Sequence, residues 1–279
     1  MDRYFVLGNP VAHSKSPLIH ARFADLTGQA LQYQRLLTPL DGFACTLAQL
    51  VHDGACGCNV TVPFKFEAYR AASTQTDRAQ LAQAANTLTF SNGMVHADNT
   101  DGVGLVKDIQ NNAGVLLAGC DVLLIGAGGA AAGALGPLLA AKPRRLVLVN
   151  RTRARADDLV ARHKAHASLR QVLQKTELLT ADLHGLAGSF DVVINASASS
   201  LTGGEVPVDS AVLKPGALAC DMMYGPAAAG FMAWAQAHGA TPRDGLGMLV
   251  EQAAEAFELW RKVRPPSAQV LQEMRALLA

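Results

Sequence analysis

The strongest indication of the fold is "DVLLIGAGGAAAGALGPLLAA", residues 121–141. An apolar run at residues 122–125 leads into a glycine-rich turn, and small residues suited to a closely packed helix follow it. Gly126, Gly128 and Ala131 match the G-x-G-x-x-A pattern, in which the glycines permit a tight turn and the approach of a pyrophosphate. A simple tight turn is the alternative. The strand before and the helix after it favour a dinucleotide site, where a helix N-terminus attracts an anion.

The end of the second strand, "RLVLVN" at residues 145–150, indicates which dinucleotide binds. An NAD site usually carries Asp or Glu there, whereas this chain continues with Arg151 and Thr152. Arg151, Arg153 and Arg155 could pair with a 2′-phosphate, and the Thr152 hydroxyl could add a donor. A solvated helix start is the alternative, but cations at a helix N-terminus oppose the dipole. We therefore predict NADP rather than NAD.

The chain before this unit also alternates strands and helices. We predict strands at residues 4–7, 33–37 and 57–62 and helices after Pro17 and at residues 43–52 and 78–85. Such alternation favours a mostly parallel sheet covered by helices, so the predicted class is α/β. Amphipathic helices at residues 248–260 and 267–278 close the chain. The length of 279 residues fits two domains better than one.

Composition narrows the classes of function. Half of the residues are hydrophobic, 17% are charged and the net charge is +1, which gives no broad electrostatic footprint for nucleic acid. We find no apolar window of membrane-spanning length and no secretory pattern at the start, so the expected location is the cytoplasm. The five cysteines have neither metal-site nor redox-pair spacing, and no metal is expected. Small ligands are the expected partners.

Lys65 and Asp101 are the candidates for chemistry. Each follows a predicted strand or turn of the first region, and ligands of open α/β sheets collect at the carboxyl ends of strands. If the two side chains meet, the carboxylate would orient the ammonium, which could pass a proton to an alkoxide forming on a carbonyl substrate. A surface salt bridge is the alternative for either residue alone. A nearby nicotinamide would favour ketone reduction.

Small polar residues in the loops suit a substrate with several hydroxyl groups, since each can donate and accept hydrogen bonds. Taken singly, they are ordinary caps and turn formers; Ser16 before Pro17 alone would be interpreted as an N-cap, and Gln252 as a solvent-facing residue. The members of this group are Ser14, Ser16, Asn59, Thr61, Asn86 and Thr87.

Eight motifs in sequence order give the chain a resemblance to the shikimate dehydrogenase family over nearly its whole length. They are "GNPVAHSKSP", "NVTVPFK", "AANTL", "NTDGVG", "LIGAGGAA", "NRT", "DMMY" and "GLGMLVEQAA". The resemblance implies an NADP-dependent enzyme that interconverts 3-dehydroshikimate and shikimate in aromatic amino acid biosynthesis. It also implies a substrate domain of residues 1–101 plus 246–279, a Rossmann-like NADP domain of residues 102–245, and an active site in the cleft between them.

The resemblance further implies the roles of individual residues. Lys65 and Asp101 would be the catalytic pair. The substrate would be surrounded by Ser14, Ser16, Asn59, Thr61, Asn86, Asp101, Tyr224 and Gln252. The cofactor would be bound by Asp77, Gly126, Ala127, Gly128, Gly129, Ala130, Asn150, Arg151, Thr152, Arg155, Met222 and Gly245.

The chain differs from the family pattern at two positions, and two alternative functions compete with the one that the resemblance implies. Ala132 stands where many members carry an arginine, which shifts the expected phosphate contacts to Arg151 and Arg155, and Ser197 replaces a usual threonine. One rival is a quinate/shikimate dehydrogenase that uses NAD or accepts both substrates, although those relatives commonly carry an aspartate after the second strand. The other is a non-catalytic NADP-sensing module. The sequence leaves open whether the chain forms a homodimer.

Overall fold

The computed structural model describes residues 1–197 and 205–278, which divide into two compact units. The first comprises Met1–Gly104 with Leu249–Ala279, and the second comprises Leu105–Met248. In the described part of the chain, every helix is too short or too polar to cross a membrane.

The first unit is built on a six-stranded sheet with helices. Its strands are β1 (Asp2–Gly8), β2 (Leu31–Leu37), β3 (Gly57–Val60), β4 (Thr74–Gln75), β5 (Thr87–Ser91) and β6 (Met94–Asp98). Its helices are α1 (Ser16–Thr27), α2 (Phe43–His52), α3 (Lys65–Ala71), α4 (Asp77–Ala82), the start of α5 (Asp101–Lys107), most of α10 (Leu246–Arg261) and α11 (Ser267–Leu278).

The sheet of this unit runs in the order β2-β1-β3-β5-β6-β4. β1 pairs in parallel with β2 and β3, and β4 with β6, whereas β5 is antiparallel to both of its neighbours. The mostly parallel α/β class predicted from the sequence is confirmed. The β5–β6 hairpin was missed, although its turn, Asn92-Gly93, has positive φ at both residues and is a strong hairpin signal.

The interior of the first unit contains an aromatic stack. His20 is fully buried, lies parallel to the Tyr33 ring at 4.1 Å between centroids, and also contacts Phe23, Phe257 and Trp260. Burial lowers the pKa of His20 to about 3, although the nearby Asn59 side chain opposes the shift. The ring therefore packs as a neutral aromatic group.

The second unit is a six-stranded, fully parallel sheet. Its strands are β7 (Asp121–Ile125), β8 (Arg145–Val149), β9 (Glu177–Ala181), β10 (Phe190–Asn195), β11 (Leu213–Asp221) and β12 (Thr241–Arg243). Its helices include α6 (Gly129–Ala140), α7 (Arg153–Ala165), α8 (Arg170–Leu173) and α9 (Ala229–Ala237), and one π-helical turn, Asp108–Asn112, follows α5.

The strand order of the second unit, β12-β11-β10-β7-β8-β9, is that of a dinucleotide-binding Rossmann fold. The chain order reverses between β7 and β10, and ligands of such sheets bind beyond the carboxyl ends of the strands at this switch point. Helix α6 begins there, directly after the glycine turn. The predicted Rossmann-like fold is confirmed.

Several predicted bounds differ from the structure. Strand β3 ends at Val60 rather than 62, and α4 covers residues 77–82 rather than 78–85. Lys65, predicted to follow a strand or turn, is the first residue of helix α3 and comes directly after the turn that follows β3. Helix α2 has the predicted bounds.

Candidate active site

Strand direction brings the candidate catalytic residues of the first unit to one edge of the sheet. Because β5 runs antiparallel to β3 and β6, its amino end meets the carboxyl ends of both. Thr87 pairs with Asn59 on one side and with Asp98 on the other. Asn86, just before β5, and Asp101, just after β6, therefore lie at this edge.

Lys65 and Asp101 form an ion pair in the first unit. Lys65 Nζ lies 2.5 Å from Asp101 Oδ2, and the side chains are 23% and 9% exposed. The other carboxylate oxygen, Asp101 Oδ1, accepts a hydrogen bond from Asn86 Nδ2 at 2.8 Å. Since its two oxygens have different partners, the carboxylate is held in one orientation. The structure thus brings the Lys65 and Asp101 side chains together.

The side chain of Asn86 lies at the centre of a cluster of hydrogen-bonded polar side chains. The other members of this cluster are Lys65, Thr87, Thr100, Asp101 and Gln252. Its Nδ2 lies 2.8 Å from Asp101 Oδ1, 3.0 Å from Thr100 Oγ1 and 3.1 Å from Gln252 Oε1. Its Oδ1 accepts from the backbone N–H of Thr100 at 2.8 Å and from the Thr87 hydroxyl at 3.0 Å. An amide nitrogen carries two hydrogens, so three acceptors compete for them. Gln252 is buried at 7% exposure, and the solvent-facing alternative for it is wrong.

Asn59 is held from several sides. Its Oδ1 accepts the Tyr33 hydroxyl at 2.7 Å, while its Nδ2 donates to the Asn86 carbonyl at 3.1 Å and to Thr87 Oγ1 at 3.0 Å. Burial raises the pKa of Tyr33 well above its usual value, so this hydroxyl stays a donor. These bonds use both Asn59 hydrogens and join Asn59 to the start of β5.

Ser14, Ser16 and Thr61 occupy the loops that follow the parallel strands β1 and β3. Ser16 is the first residue of α1, and its backbone N–H donates to Ser14 Oγ at 3.3 Å. The N-cap is Lys15, so the N-cap interpretation of Ser16 is wrong. Arg35 donates to the Ser14 carbonyl at 2.6 Å and 3.0 Å. Loops at carboxyl ends place these three residues at the same edge of the sheet as Lys65.

The glycine turn of the second unit meets both steric demands of a nucleotide loop. Gly126 has φ +108, and a Cβ there would lie 3.0 Å from the backbone of Ala196 and of Ser197. Gly128, in contrast, has open space within 4 Å around the position of a Cβ. Gly129 and Ala130 follow as the first residues of α6. Gly126 permits the turn, and Gly128 leaves room for a phosphate group above the helix N-terminus.

Asn150 ties this turn to the loop after β8. Its Oδ1 accepts from the backbone N–H of Ala127 at 3.2 Å, and its Nδ2 donates to the Thr152 carbonyl at 2.8 Å. Arg151 and Arg155 are exposed beside it. Arg153 is directed elsewhere, because Asp182 binds it at 2.9 Å and Asp157 lies 3.5 Å away. Arg151 and Arg155 therefore stay candidates for binding the 2′-phosphate, and Arg153 does not.

Met222 and Gly245 lie together in the second unit. The backbone N–H of Met222 donates to the Asn195 carbonyl at 3.0 Å, and that of Gly245 to the Met223 carbonyl at 2.8 Å. A Cβ on Gly245 would overlap the Met222 carbonyl, so glycine permits this approach. Tyr224 follows in the same unit, where burial raises its pKa. Asp77, by contrast, is an exposed residue of the first unit at the start of α4.

Three residues that belong to this cluster or support it from nearby were not singled out from the sequence. Thr100 lies inside the quoted "NTDGVG" motif, so its position was visible but its contacts were not. Tyr33 shares the alternating pattern of β2 with ordinary core residues. Arg78 lies in the first turn of helix α4 and resembles a solvated charge in the sequence, yet it binds the buried carboxylate of Asp98. Among the described residues, no group of three or more His, Cys, Asp or Glu side chains is arranged to hold a metal ion.

Known proteins match the chain along most of its length. Residues 6–88 match the family described as shikimate dehydrogenase substrate binding domain, residues 107–203 match shikimate / quinate 5-dehydrogenase, and residues 245–275 match the shikimate 5'-dehydrogenase C-terminal domain. A curated relative from Acidovorax sp. (strain JS42), named shikimate dehydrogenase (NADP(+)), is 65% identical over 278 residues, which cover 100% of this chain and 97% of the relative. The chain belongs to the shikimate dehydrogenase family.

A second curated relative and two solved structures are also similar to the chain. The relative from Verminephrobacter eiseniae (strain EF01-2) has the same name and is 61% identical over 279 residues, covering 100% of this chain and 96% of that one. Among solved structures, an Ael1 enzyme from Pseudomonas putida has 43% identity and a TM-score of 0.89 with 98% of each chain covered. Shikimate 5-dehydrogenase from Thermus thermophilus in complex with NADP(H) and shikimate has 28% identity and a TM-score of 0.86, with 99% of each covered. The family predicted from the sequence is confirmed.

Proposed function

We propose that the chain is an NADP-dependent oxidoreductase that interconverts 3-dehydroshikimate and shikimate. The observation that carries the proposal is the contact of 2.5 Å between Lys65 and Asp101, with Asn86 on the second carboxylate oxygen. The names of the curated relatives at 65% and 61% identity support the reaction and the cofactor. Shikimate, the product of the reduction, belongs to the biosynthetic pathway of the aromatic amino acids.

Lys65 is the general acid and general base of the proposed reaction. An ammonium has three N–H donors, and Asp101 engages one of them, which leaves two for a substrate oxygen. In the direction of reduction, Lys65 gives a proton to the carbonyl oxygen as it becomes a hydroxyl group. In the direction of oxidation, the neutral amine takes the hydroxyl proton. Bound NADPH supplies the hydride for the reduction.

The two units have different tasks in this proposal. Met1–Gly104 with Leu249–Ala279 forms the substrate domain, and Leu105–Met248 forms the NADP domain. Shikimate is a carboxylic acid with several hydroxyl groups, and the hydroxyls of Ser14, Ser16 and Thr61 at the sheet edge are suited to bind it. The Gln252 side-chain amide, whose Oε1 lies 3.1 Å from Asn86 Nδ2, is proposed to bind the same ligand. Tyr224 is proposed to bind the substrate, and Asp77 the cofactor.

NADP is preferred over NAD because of the residues after β8. Asn150 directly follows this strand in place of a carboxylate that would repel a 2′-phosphate, and it shapes the turn through Ala127. Arg151 and Arg155 are exposed cations next to it and can pair with the phosphate. These residues disfavour the rival enzyme that uses NAD. A cytoplasmic location completes the proposal, and a homodimer stays a prediction.

A panel of substrates and cofactors tests the function. The purified chain is mixed with shikimate and NADP, then with quinate and NADP, and then with shikimate and NAD, while NADPH or NADH absorbance is followed. We expect turnover with the first pair to exceed both others clearly. Comparable rates with quinate or NAD would support the rival enzyme, and NADP binding without turnover of either acid would support the sensing module.

A further inference from the structure

Arg78, the second residue of α4, joins two elements that carry the candidate active site. Its guanidinium binds Asp98 at both oxygens, with Nε 3.0 Å from Oδ1 and Nη2 2.5 Å from Oδ2. Its third nitrogen, Nη1, lies 3.1 Å from Glu255 Oε1 on α10. The Asp98 side chain is 3% exposed and that of Arg78 is 28% exposed. Arg78 is thus a partly buried cation between two carboxylates.

The contact with Asp98 leads to Asp101. Asp98 Oδ1 also accepts from the Thr76 hydroxyl and from the backbone N–H of Asn99, both at 2.7 Å. The Asn99 side chain donates to the Ala84 carbonyl at 3.0 Å and accepts the backbone N–H of Asp101 at 3.2 Å. The segment from Asp98 to Asp101 is therefore held at both ends, and Arg78 binds its first residue.

The contact with Glu255 leads to Gln252. The two residues are three positions apart on α10, so they lie on the same face of the helix, about one turn from each other. Gln252 Oε1 accepts from Asn86 Nδ2 at 3.1 Å. Arg264 also binds Glu255, at 3.1 Å, from the chain after α10. By binding Glu255, Arg78 sets the position of α10 against the end of the hairpin.

The charge and shape of Arg78 suit this double contact. Burial by itself would lower the pKa of Arg78, but the hydrogen bonds and charges of Asp98 and Glu255 outweigh it and raise the pKa above its usual value. The side chain therefore stays cationic. Its planar fork binds one carboxylate at two atoms while another nitrogen reaches a second carboxylate, which a lysine ammonium cannot reproduce.

We propose that Arg78 is a positioning residue for the reaction. By holding Asp98 and Glu255 together, it sets where Asp101 and Gln252 meet Asn86, and thereby where Lys65 presents its proton. It acts through these residues and not on the substrate itself. The proposal rests on the proposed function, because it concerns the same site.

The test uses variants that avoid an unpaired buried charge. Removing Arg78 alone would leave the Asp98 carboxylate buried without its cation, which is strongly destabilising. The double variant Arg78→Met/Asp98→Asn removes both charges, and Arg78→Lys keeps the charge without the fork. The matched control is Arg22→Met/Glu273→Gln. It removes another two-bond pair, 2.8 Å and 2.9 Å, between α1 and α11 of the same unit.

Steady-state kinetics with shikimate and NADP, together with melting temperatures, give the readout. We expect the double variant to lower kcat about 10- to 100-fold, because small misplacements of catalytic groups are costly. The KM for shikimate should rise, while the KM for NADP stays within about twofold of the wild-type value. Arg78→Lys should recover part of kcat, and the control should keep kcat and both KM values.

Several outcomes would overturn the proposal. A folded double variant with kcat within about twofold of wild type would do so, as would a KM for NADP that changes as much as kcat. If the double variant does not fold, Arg78→Lys decides: full activity overturns the proposal, and a reduced kcat with normal NADP binding supports it. A wild-type chain that does not turn over shikimate overturns the proposed function and this proposal with it.

Discussion

At the scale of single residues, the site depends on the different partners of the Asp101 oxygens. Oδ2 faces Lys65 at 2.5 Å, and Oδ1 faces Asn86 at 2.8 Å. Hydrogen bonds to a charged group are shorter and stronger than neutral ones, so the carboxylate orients the ammonium well. Asn86 in turn is oriented by Thr100, whose backbone N–H donates to Asn86 Oδ1. A chain of polar contacts therefore determines where Lys65 points.

Lys65→Ala should lower kcat by about 10² to 10⁴, the range for loss of a general acid or base, and change substrate affinity much less. Steady-state kinetics with shikimate and NADP measure both quantities. Lys164→Ala, at an exposed lysine of α7, is the control and should behave as wild type. A Lys65→Ala variant as fast as wild type would remove Lys65 from the mechanism.

Arg151→Ala should weaken NADP binding far more than NAD binding, because only NADP carries the 2′-phosphate that Arg151 is proposed to bind. The ratio of kcat/KM for the two cofactors is the measurement. Arg153→Ala serves as the comparison, since Asp182 already engages that guanidinium, and it should change the ratio much less. Equal losses with NADP and NAD in Arg151→Ala would mean that the phosphate is bound elsewhere.

At the scale of elements, the turn between β7 and α6 separates two roles of glycine. Gly126 is needed because its φ is positive and its Cβ would crowd the backbone after β10. Gly128 has φ −85 and open space, so the fold itself does not require glycine there. The need for Gly128 comes instead from the approach of a phosphate group. The backbone conformation thus requires glycine at position 126, whereas the bound phosphate group requires it at position 128.

Gly126→Ala should destabilise the second unit by about 1 to 3 kcal/mol, the usual cost of a side chain in a disfavoured backbone conformation. It should weaken NADP binding as well. Gly128→Ala should keep the melting temperature of the wild type but lower NADP affinity. Calorimetry without ligand and NADP titration distinguish the two variants. Two variants with the same loss of stability would contradict this division of roles.

At the scale of the whole molecule, each unit encloses a buried histidine that stays neutral. Burial lowers the pKa of His20 in the first unit to about 3 and that of His163 in the second to about 4, from an ordinary value of 6.5. Neither His20 nitrogen nor His163 Nε2 has a hydrogen-bond partner among the described residues. The unfolded chain therefore binds more protons than the folded one once the pH falls below about 6.5.

Stability should consequently fall as the pH is lowered from about 6.5 towards 4, by about 1.4 kcal/mol per pH unit for each fully titrating histidine. His20→Phe should reduce this slope, since phenylalanine cannot take up a proton and the surrounding rings are aromatic. Denaturant unfolding at several pH values measures it. An unaltered slope in His20→Phe would show that His20 does not contribute.

Some features of this protein were determined by the sequence alone, because they depend on local patterns. The apolar run before Gly126, the glycine spacing and the missing carboxylate after β8 specify a Rossmann-like unit and favour NADP. Helix α2 was bounded correctly, since apolar spacing and a glycine start are local signals. The family followed from the order of eight motifs. Lys65 and Asp101 became candidates because each follows a predicted strand or turn.

How these parts meet is visible in the folded chain and not in the sequence pattern. The antiparallel β5 lies between β6 and β3 and places Asn86 beside Asp101. The Asn92-Gly93 turn indicates the pairing of β5 with β6, but no local pattern specifies that β3 is its other neighbour. Gln252 and Arg78 look like solvated side chains in the sequence, yet helix packing and a buried carboxylate draw both into the cluster. Arg153 binds Asp182, which is 29 residues away in the sequence. The charges of the residues alone do not predict which of them form a pair. Contacts between distant segments depend on the packed chain, whereas strands and turns depend on their neighbours in sequence.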